Sequence, residues 1–191
     1  MTTQATLNPK TAAATAWQID PAHTEVEFSV RHLMLSNVKG RFANVTGAAR
    51  FDEQGNALEA LDVTIPTTTV DTRVEQRDNH LRSPDFFDVA KYPTISFKGR
   101  RVQGTLSDAF KLVGELTIHG VTREVTLDVT LEGSGNDPWG NERRGYNATG
   151  KIDRRDFGLT WNQALEAGGV VVGNDVKITI NTELQRPLPK N

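Results

Sequence analysis

Alternating apolar and polar residues in roughly eight segments, with one dense polar run interrupting them, predict an all-β antiparallel domain carrying a short helical lid. There is no βαβ alternation and no internal repeat, so a parallel sheet or a solenoid is not expected. The chain has 191 residues, enough for one domain with its own core.

The segments follow in order. Val26, Phe28 and Val30 alternate with Glu25, Glu27, Ser29 and Arg31. Val38, Gly40 and Phe42 hold one face, and Val45, Gly47, Ala49 and Phe51 then occupy the odd positions. That change of parity predicts a bulge or bend at Ala43-Asn44. Gln54-Gly55-Asn56 reads as a hairpin turn, and Leu61, Val63 and Ile65 follow until Pro66 ends the strand. Ile95 and Phe97 begin another segment. Phe110, Leu112, Leu116 and Ile118 make the next, and Val121, Val125, Leu127, Val129 and Leu131 follow after the tight turn His119-Gly120. Tyr146, Ala148, Gly150 and Ile152 share a face, and Val176, Ile178, Ile180 and Leu184 make the last strand.

The polar run predicts a helix over about Val74–Arg82, capped by Asp71 or Thr72 and stopped by Pro84. Further short turns are expected at Phe86–Val89 and Leu159–Gln163. Residues 1–16 and 186–191 read as unstructured tails around a domain at 17–185. Such a strand set closes as a barrel or stacks as a two-sheet sandwich. Strands of about ten residues, tilted by roughly 40°, would enclose a shaft on the order of 25 Å long.

Composition removes several function classes. Lys and Arg number 22 against 24 Asp and Glu, for a net charge of −2, and no basic run marks a nucleic-acid partner. There is no cysteine for disulfides or thiolate chemistry. No stretch approaches the ~18 apolar residues of a membrane span. Residues 1–16 lack a charged start and an apolar run, so the expected compartment is the cytoplasm; a processed leader is the alternative. His23, His32, His80 and His119 lie on different segments without ligand spacing, so no metal is expected. With no Gly-x-Ser-x-Gly elbow and no phosphate-binding loop, the chain reads as a non-enzyme.

An ordered set of motifs completes the reading. Trp17-Gln-Ile-Asp-Pro-Ala-His-Thr24, Phe28-Ser-Val-Arg-His-Leu33, Val38-Lys-Gly-Arg-Phe42 and Val70-Asp-Thr72 come first. Arg77-Asp-Asn-His-Leu-Arg-Ser83, Asp85-Phe-Phe-Asp88, Tyr92-Pro-Thr-Ile-Ser-Phe97, Gly114-Glu-Leu-Thr-Ile-His-Gly-Val-Thr122 and Arg155-Asp-Phe-Gly-Leu159 follow. Together they resemble the YceI family of lipocalin-like proteins. The resemblance implies an eight-stranded antiparallel barrel, with the helical lid around residues 74–89. It also implies a channel for polyisoprenoid or related amphiphiles, typically a quinone or prenyl diphosphate. Many relatives of that kind are periplasmic.

On this reading the channel wall comprises Phe28, Val30, Phe42, Ile65, Ile95 and Phe97, then Leu116, Ile118, Val125, Leu127, Tyr146, Ile178 and Ile180. Small residues on the same face, Gly40, Gly47, Gly114, Ala148 and Gly150, leave room or let the strands coil. Arg77, His80 and Arg82 would meet the head group, with Trp161 and Asn162 on the same rim. Asp78 and Arg82 are alternatively an i,i+4 surface pair, and Phe86-Phe87 a plug over the barrel end. The ligand would be a bound isoprenoid lipid without further cofactor, and a homodimer through a barrel flank is expected. The rival readings are an enzyme pairing His80 with Asp78 or Asp85, and a stress-response structural domain with a filled core.

Overall fold

The computed structural model describes residues 4–6, 16–52, 55–164 and 170–188. The strands are β1 (Gln4–Thr6), β2 (Ala16–Ile19), β3 (Glu25–His32), β4 (Ser36–Phe42), β5 (Thr46–Phe51) and β6 (Leu58–Pro66). Then come β7 (Thr94–Gly104), β8 (Ala109–Ile118), β9 (Val121–Asn136), β10 (Asn141–Asp153) and β11 (Val172–Pro187). The one α-helix among the described residues, α1, spans Glu75–Arg82.

These segments form an eight-stave barrel rather than two stacked sheets. All pairings are antiparallel, in the order β10-β9-β8-β7-β6-β5-β2-β11, and β10 also pairs β11 from Asn141–Pro187 to Asp153–Asp175, which closes the ring. Two staves are broken. β2 and β3 lie end to end along β11, separated by a 3-10 turn at Pro21–His23, where proline has no N–H for a ladder. β4 and β5 form the second, interrupted at Asn44 with φ 57°, where the parity change predicts a bend. Of the hairpin turns read from the sequence, Gln54 lies outside the described residues, Gly55 (φ 72°) donates to Asp52 O, and His119-Gly120 takes φ 51° and 74°.

Three expectations about the chain's ends and turns are corrected. Within the predicted N-terminal tail, Gln4–Thr6 pairs with Arg101–Gln103 of β7, taking the place that β6 vacates; residues 1–3 and 7–15 lie outside the described set. At the other end β11 runs to Pro187, since Arg186 and Pro187 pair with β10. The turn expected at Leu159–Gln163 instead forms earlier, as a 3-10 turn at Arg154–Phe157 closed by Gly158 at φ 75°.

β4 and β6 diverge, and the lid fills the gap. Beyond β6 the chain makes a 3-10 turn at Thr67–Thr69, and a single bridge joins Asp71 to Arg41 of β4. Helix α1 ends at Ser83, whose N–H and Oγ both donate to His80 O, before Pro84. Neither Asp71 nor Thr72 caps it; the N-cap is Val74 without a side-chain bond. The relation runs the other way: buried Asp78 accepts from Thr72 N (2.8 Å) and Thr72 Oγ1 (2.5 Å), tying the helix to its own approach. The turn expected at Phe86–Val89 wraps back on the helix, with Phe87 N–H to Leu81 O and Val89 N–H to Arg82 O.

Candidate functional site

The barrel is hollow. A cavity of about 410 Å³ runs along its interior, within the range typical of small-molecule sites. That excludes a core filled by side chains. The wall follows from strand parity, since every second residue of each stave points inward. Phe51, Leu58, Leu106, Phe110 and Tyr146 converge at one end, all buried. At the other end Phe28, Val30, Val38, Val176 and Ile178 face the lumen but are only half-buried.

The glycines of the inner face explain how aromatic side chains leave a hole. A Cβ at Gly40 would stand 2.3 Å from Phe28 Cζ, and one at Gly114 would stand 2.3 Å from Phe97 Cζ. The rings lie against the wall across these glycines instead of filling the axis.

Polar groups gather at the half-buried end, where Arg31, His32, Arg77, His80 and Arg154 reach the cavity. Arg77 is held by Thr72, with Nε donating to Oγ1 at 2.7 Å and Nη2 to the carbonyl at 2.9 Å. His80 stands edge-on to Trp161 (centroids 4.7 Å) and Phe86 (5.1 Å), and its Nε2 lies 2.9 Å from Asp85 Oδ2. Phe86 and Phe87 both line the cavity, and Phe87 packs edge-on to Phe42 at 5.6 Å, so the pair is wall as well as lid.

Arg154, missed in the sequence, is 4% exposed and reaches the lumen wall. Its guanidinium donates to the carbonyls of Leu159, Trp161, Val172 and Gly173. Burial holds its pKa below the usual arginine value, with Asp153 opposing. The cation thus fastens the loop bearing Trp161 to β11.

Most residues expected on the wall are there, including Phe42, Ile65, Ile95, Leu116, Val125, Leu127 and Ile180. Ile118 is not: it ends β8 and is buried in the apolar core beyond the cavity. Two expected rim residues also face elsewhere. Arg82 donates to Thr68 O (3.0 Å), Val70 O (2.8 Å) and Asn79 Oδ1 (3.1 Å), which replaces the expected pair with Asp78. Asn162 exchanges bonds with Val172, accepting at 3.1 Å and donating at 2.7 Å. Wall residues missed in the sequence include Leu58, Leu81, Leu106 and Leu159.

His23 stands with Asp20 and Glu183, their ligand atoms within 4.8 Å of one another. Arg143 already occupies that group, donating to Asp20 at 2.7 Å, Glu183 at 2.8 Å and Asp137 at 2.8 Å. Among the described residues no helix is long and apolar enough to cross a membrane.

The comparisons agree with this architecture. Protein YceI of Escherichia coli O157:H7 is 43% identical over 150 residues, 78% of either chain. The UPF0312 protein of Staphylococcus aureus strain N315 is 39% identical over 170 residues, 88% of this chain and 96% of its own. Among solved structures, Campylobacter jejuni YceI protein superposes with a TM-score of 0.70 at 34% identity, over 81% of this chain and 88% of that one. Burkholderia cenocepacia BcnA has a TM-score of 0.73 at 20% identity, covering 86% and 98%, a likeness of fold alone. A polyisoprenoid binding domain from Saccharophagus degradans, implicated in plant cell wall breakdown, has a TM-score of 0.62 at 16% identity over 91% and 99%, again a likeness of fold. The YceI-like domain family matches residues 17–184, nearly the whole barrel, and the chain belongs to that family.

Proposed function

We propose that this protein binds a long-chain isoprenoid lipid of polyprenyl or quinone type, non-covalently and lengthwise in the lumen, for transport or storage. The observation that carries the reading is the apolar cavity of about 410 Å³ with its polar groups confined largely to one end. The name of the Saccharophagus degradans domain, polyisoprenoid binding, supports the same ligand class.

The energetics suit a tail-driven ligand. Each buried methylene contributes about 0.8 kcal/mol, so the gross gain rises with the length of tail that the lumen encloses. Measured affinities saturate near 18 to 21 kcal/mol, so ordering a flexible chain offsets much of that gain. Arg77 and His80 then need only orient a polar head at the mouth.

Extraction of the purified protein with organic solvent, followed by mass spectrometry and titration with polyprenols of graded length, tests the proposal. A co-purifying isoprenoid and affinity that rises with chain length until the lumen is full are expected. A lumen that takes up no isoprenoid of any length overturns it. The pairing of His80 with Asp85 at the mouth favours a second reading, acid–base catalysis on a small apolar substrate. Turnover abolished by Asp85→Asn, with lipid retention unchanged, would select that reading.

A further inference from the structure

The β3–β4 hairpin ends in Leu33-Met34-Leu35 with an uncommon backbone. Leu33 and Met34 sit at φ 51° and 58°, the two central positions of a turn closed by Leu35 N–H to His32 O at 3.0 Å. Such positions favour Asn and Gly because a Cβ there crowds the backbone. The turn nevertheless holds two bulky apolar side chains in water: Met34 is 55% exposed and Leu35 80% exposed.

This tip adjoins the mouth. Arg31 and His32, just before the turn, line the cavity. Leu33 N–H bonds Val171 O at 2.9 Å, and Val171 is also wall. The antiparallel bridge from Arg41 to Asp71 sends residues 72–74 alongside β4 toward the same tip, and Val74 there is 45% exposed. The two segments nearest it carry an excess of cations, while the acids beside them, Asp71 and Asp175, are paired with Arg41 and Lys151. Residues 31–40 and 72–77 contain Arg31, Lys39, Arg73 and Arg77, with Glu75 as their sole acid, in a chain of net charge −2.

We propose that this tip docks on an anionic phospholipid bilayer. Met34 and Leu35 enter the interfacial layer, the flanking cations meet the lipid head groups, and the mouth of the lumen is brought to the membrane surface. A narrow convex tip flanked by cations matches shallow insertion. It is too small for a protein partner, which needs a flat patch of about 800 Å². The inference rests on the lipid-binding reading, because a carrier of membrane lipid must load and unload at a bilayer.

The test is co-sedimentation of the protein with vesicles of phosphatidylcholine and phosphatidylglycerol, against phosphatidylcholine alone, both free of isoprenoid. Binding to the anionic vesicles is expected to be at least about tenfold stronger and to weaken with salt. Met34→Asp with Leu35→Asp should lower it about tenfold or more, and Lys39→Gln about fivefold. Met34→Gly, which relieves the left-handed strain, should weaken docking while the fold is retained. These three residues do not line the cavity, so the lipid extracted from the lumen should be unchanged. Absence of binding to anionic vesicles, or binding indifferent to the tip variants, overturns the proposal. So does a tip variant that instead splits a dimer, which would make the occupant a second copy of the chain. An empty lumen with intact vesicle binding would strike the carrier reading and leave the docking surface standing.

Discussion

Phe28 lies flat across Gly40, so closely that a Cβ on residue 40 would meet Phe28 Cζ at 2.3 Å and Thr72 Cγ2 at 2.8 Å. One pair thereby joins three parts of the site. β3 supplies the ring, β4 supplies the missing side chain, and Thr72 belongs to the approach to α1. The lumen stays open because the ring has somewhere to lie other than the barrel axis.

Gly40→Ala is therefore expected to push the Phe28 ring into the lumen. The clash involves side-chain atoms that can rotate, so the stability cost should be near the low end of overpacking, about 1 kcal/mol. Affinity for a long polyprenol should fall about tenfold, a loss of roughly 1.4 kcal/mol. Titration beside a thermal melt separates the two effects. Unchanged affinity would mean that the ligand does not pass Phe28.

Ala148, between Val129 of β9 and Ile180 of β11, is a small residue on the cavity wall. Ala148→Leu adds three carbons to the lumen without touching polar groups. In a filled core such a change costs about 1–3 kcal/mol. Here the space is empty, and the melting temperature of lipid-free protein should hold or rise. Uptake of long chains should decline. A melt lowered by several degrees would show that the cavity closes around Ala148.

The lid's anchor makes the opposite prediction. Asp78 accepts from both donors of buried Thr72, its backbone N–H and its hydroxyl. Asp78→Ala would strand those donors and cost about 2–3 kcal/mol. The damage should concentrate in residues 70–82, seen as faster amide hydrogen exchange there than in β8 and β9. Uniform loss of protection across the barrel would instead make Asp78 a determinant of the whole fold.

How far the site was legible depends on parity. Where a strand keeps its two-residue period, as in Val125-Leu127-Val129, the inward face can be read directly. Where a bulge resets the period, it cannot. The register slips between Gly99 and Arg101 on β7 hide Val102, and those between Arg50 and Phe51 hide Leu58. Hydrogen-bond partners far along the chain are equally invisible. Arg82 turns to the Thr68 and Val70 carbonyls, and Asn162 to Val172, because the fold brings those backbones within reach. Arg154 carries no signal in the sequence, because the four carbonyls that draw it inside come from Leu159, Trp161, Val172 and Gly173.

The last prediction concerns acid. Arg143 joins Asp20, Asp137 and Glu183, tying the break between β2 and β3 to β10 and β11. Burial alone would raise the Asp20 pKa, but hydrogen bonds from Arg143, His23 and Ala22 N outweigh it and bring it to about 2. Asp137 is held lower still, since bonds from Asn141 and Arg143 overcome its own desolvation. An unfolded aspartate titrates near about 3.9, so the folded protein binds fewer protons than the unfolded chain below that pH. The stabilisation is thus complete above about pH 4 and drains away as pH falls toward 2 and below. At the alkaline end burial raises the Tyr146 pKa against the pull of Arg144, so stability declines as pH climbs past about 10, where unfolded tyrosine ionises. Thermal melts across this range should show a plateau between those limits. Arg143→Met should lower the melt at pH 7 and narrow its gap to the parent protein as pH approaches 2, because protonated Asp20 no longer draws on the cation. Parallel acid limbs in the two proteins would remove Arg143 as the source of that lability.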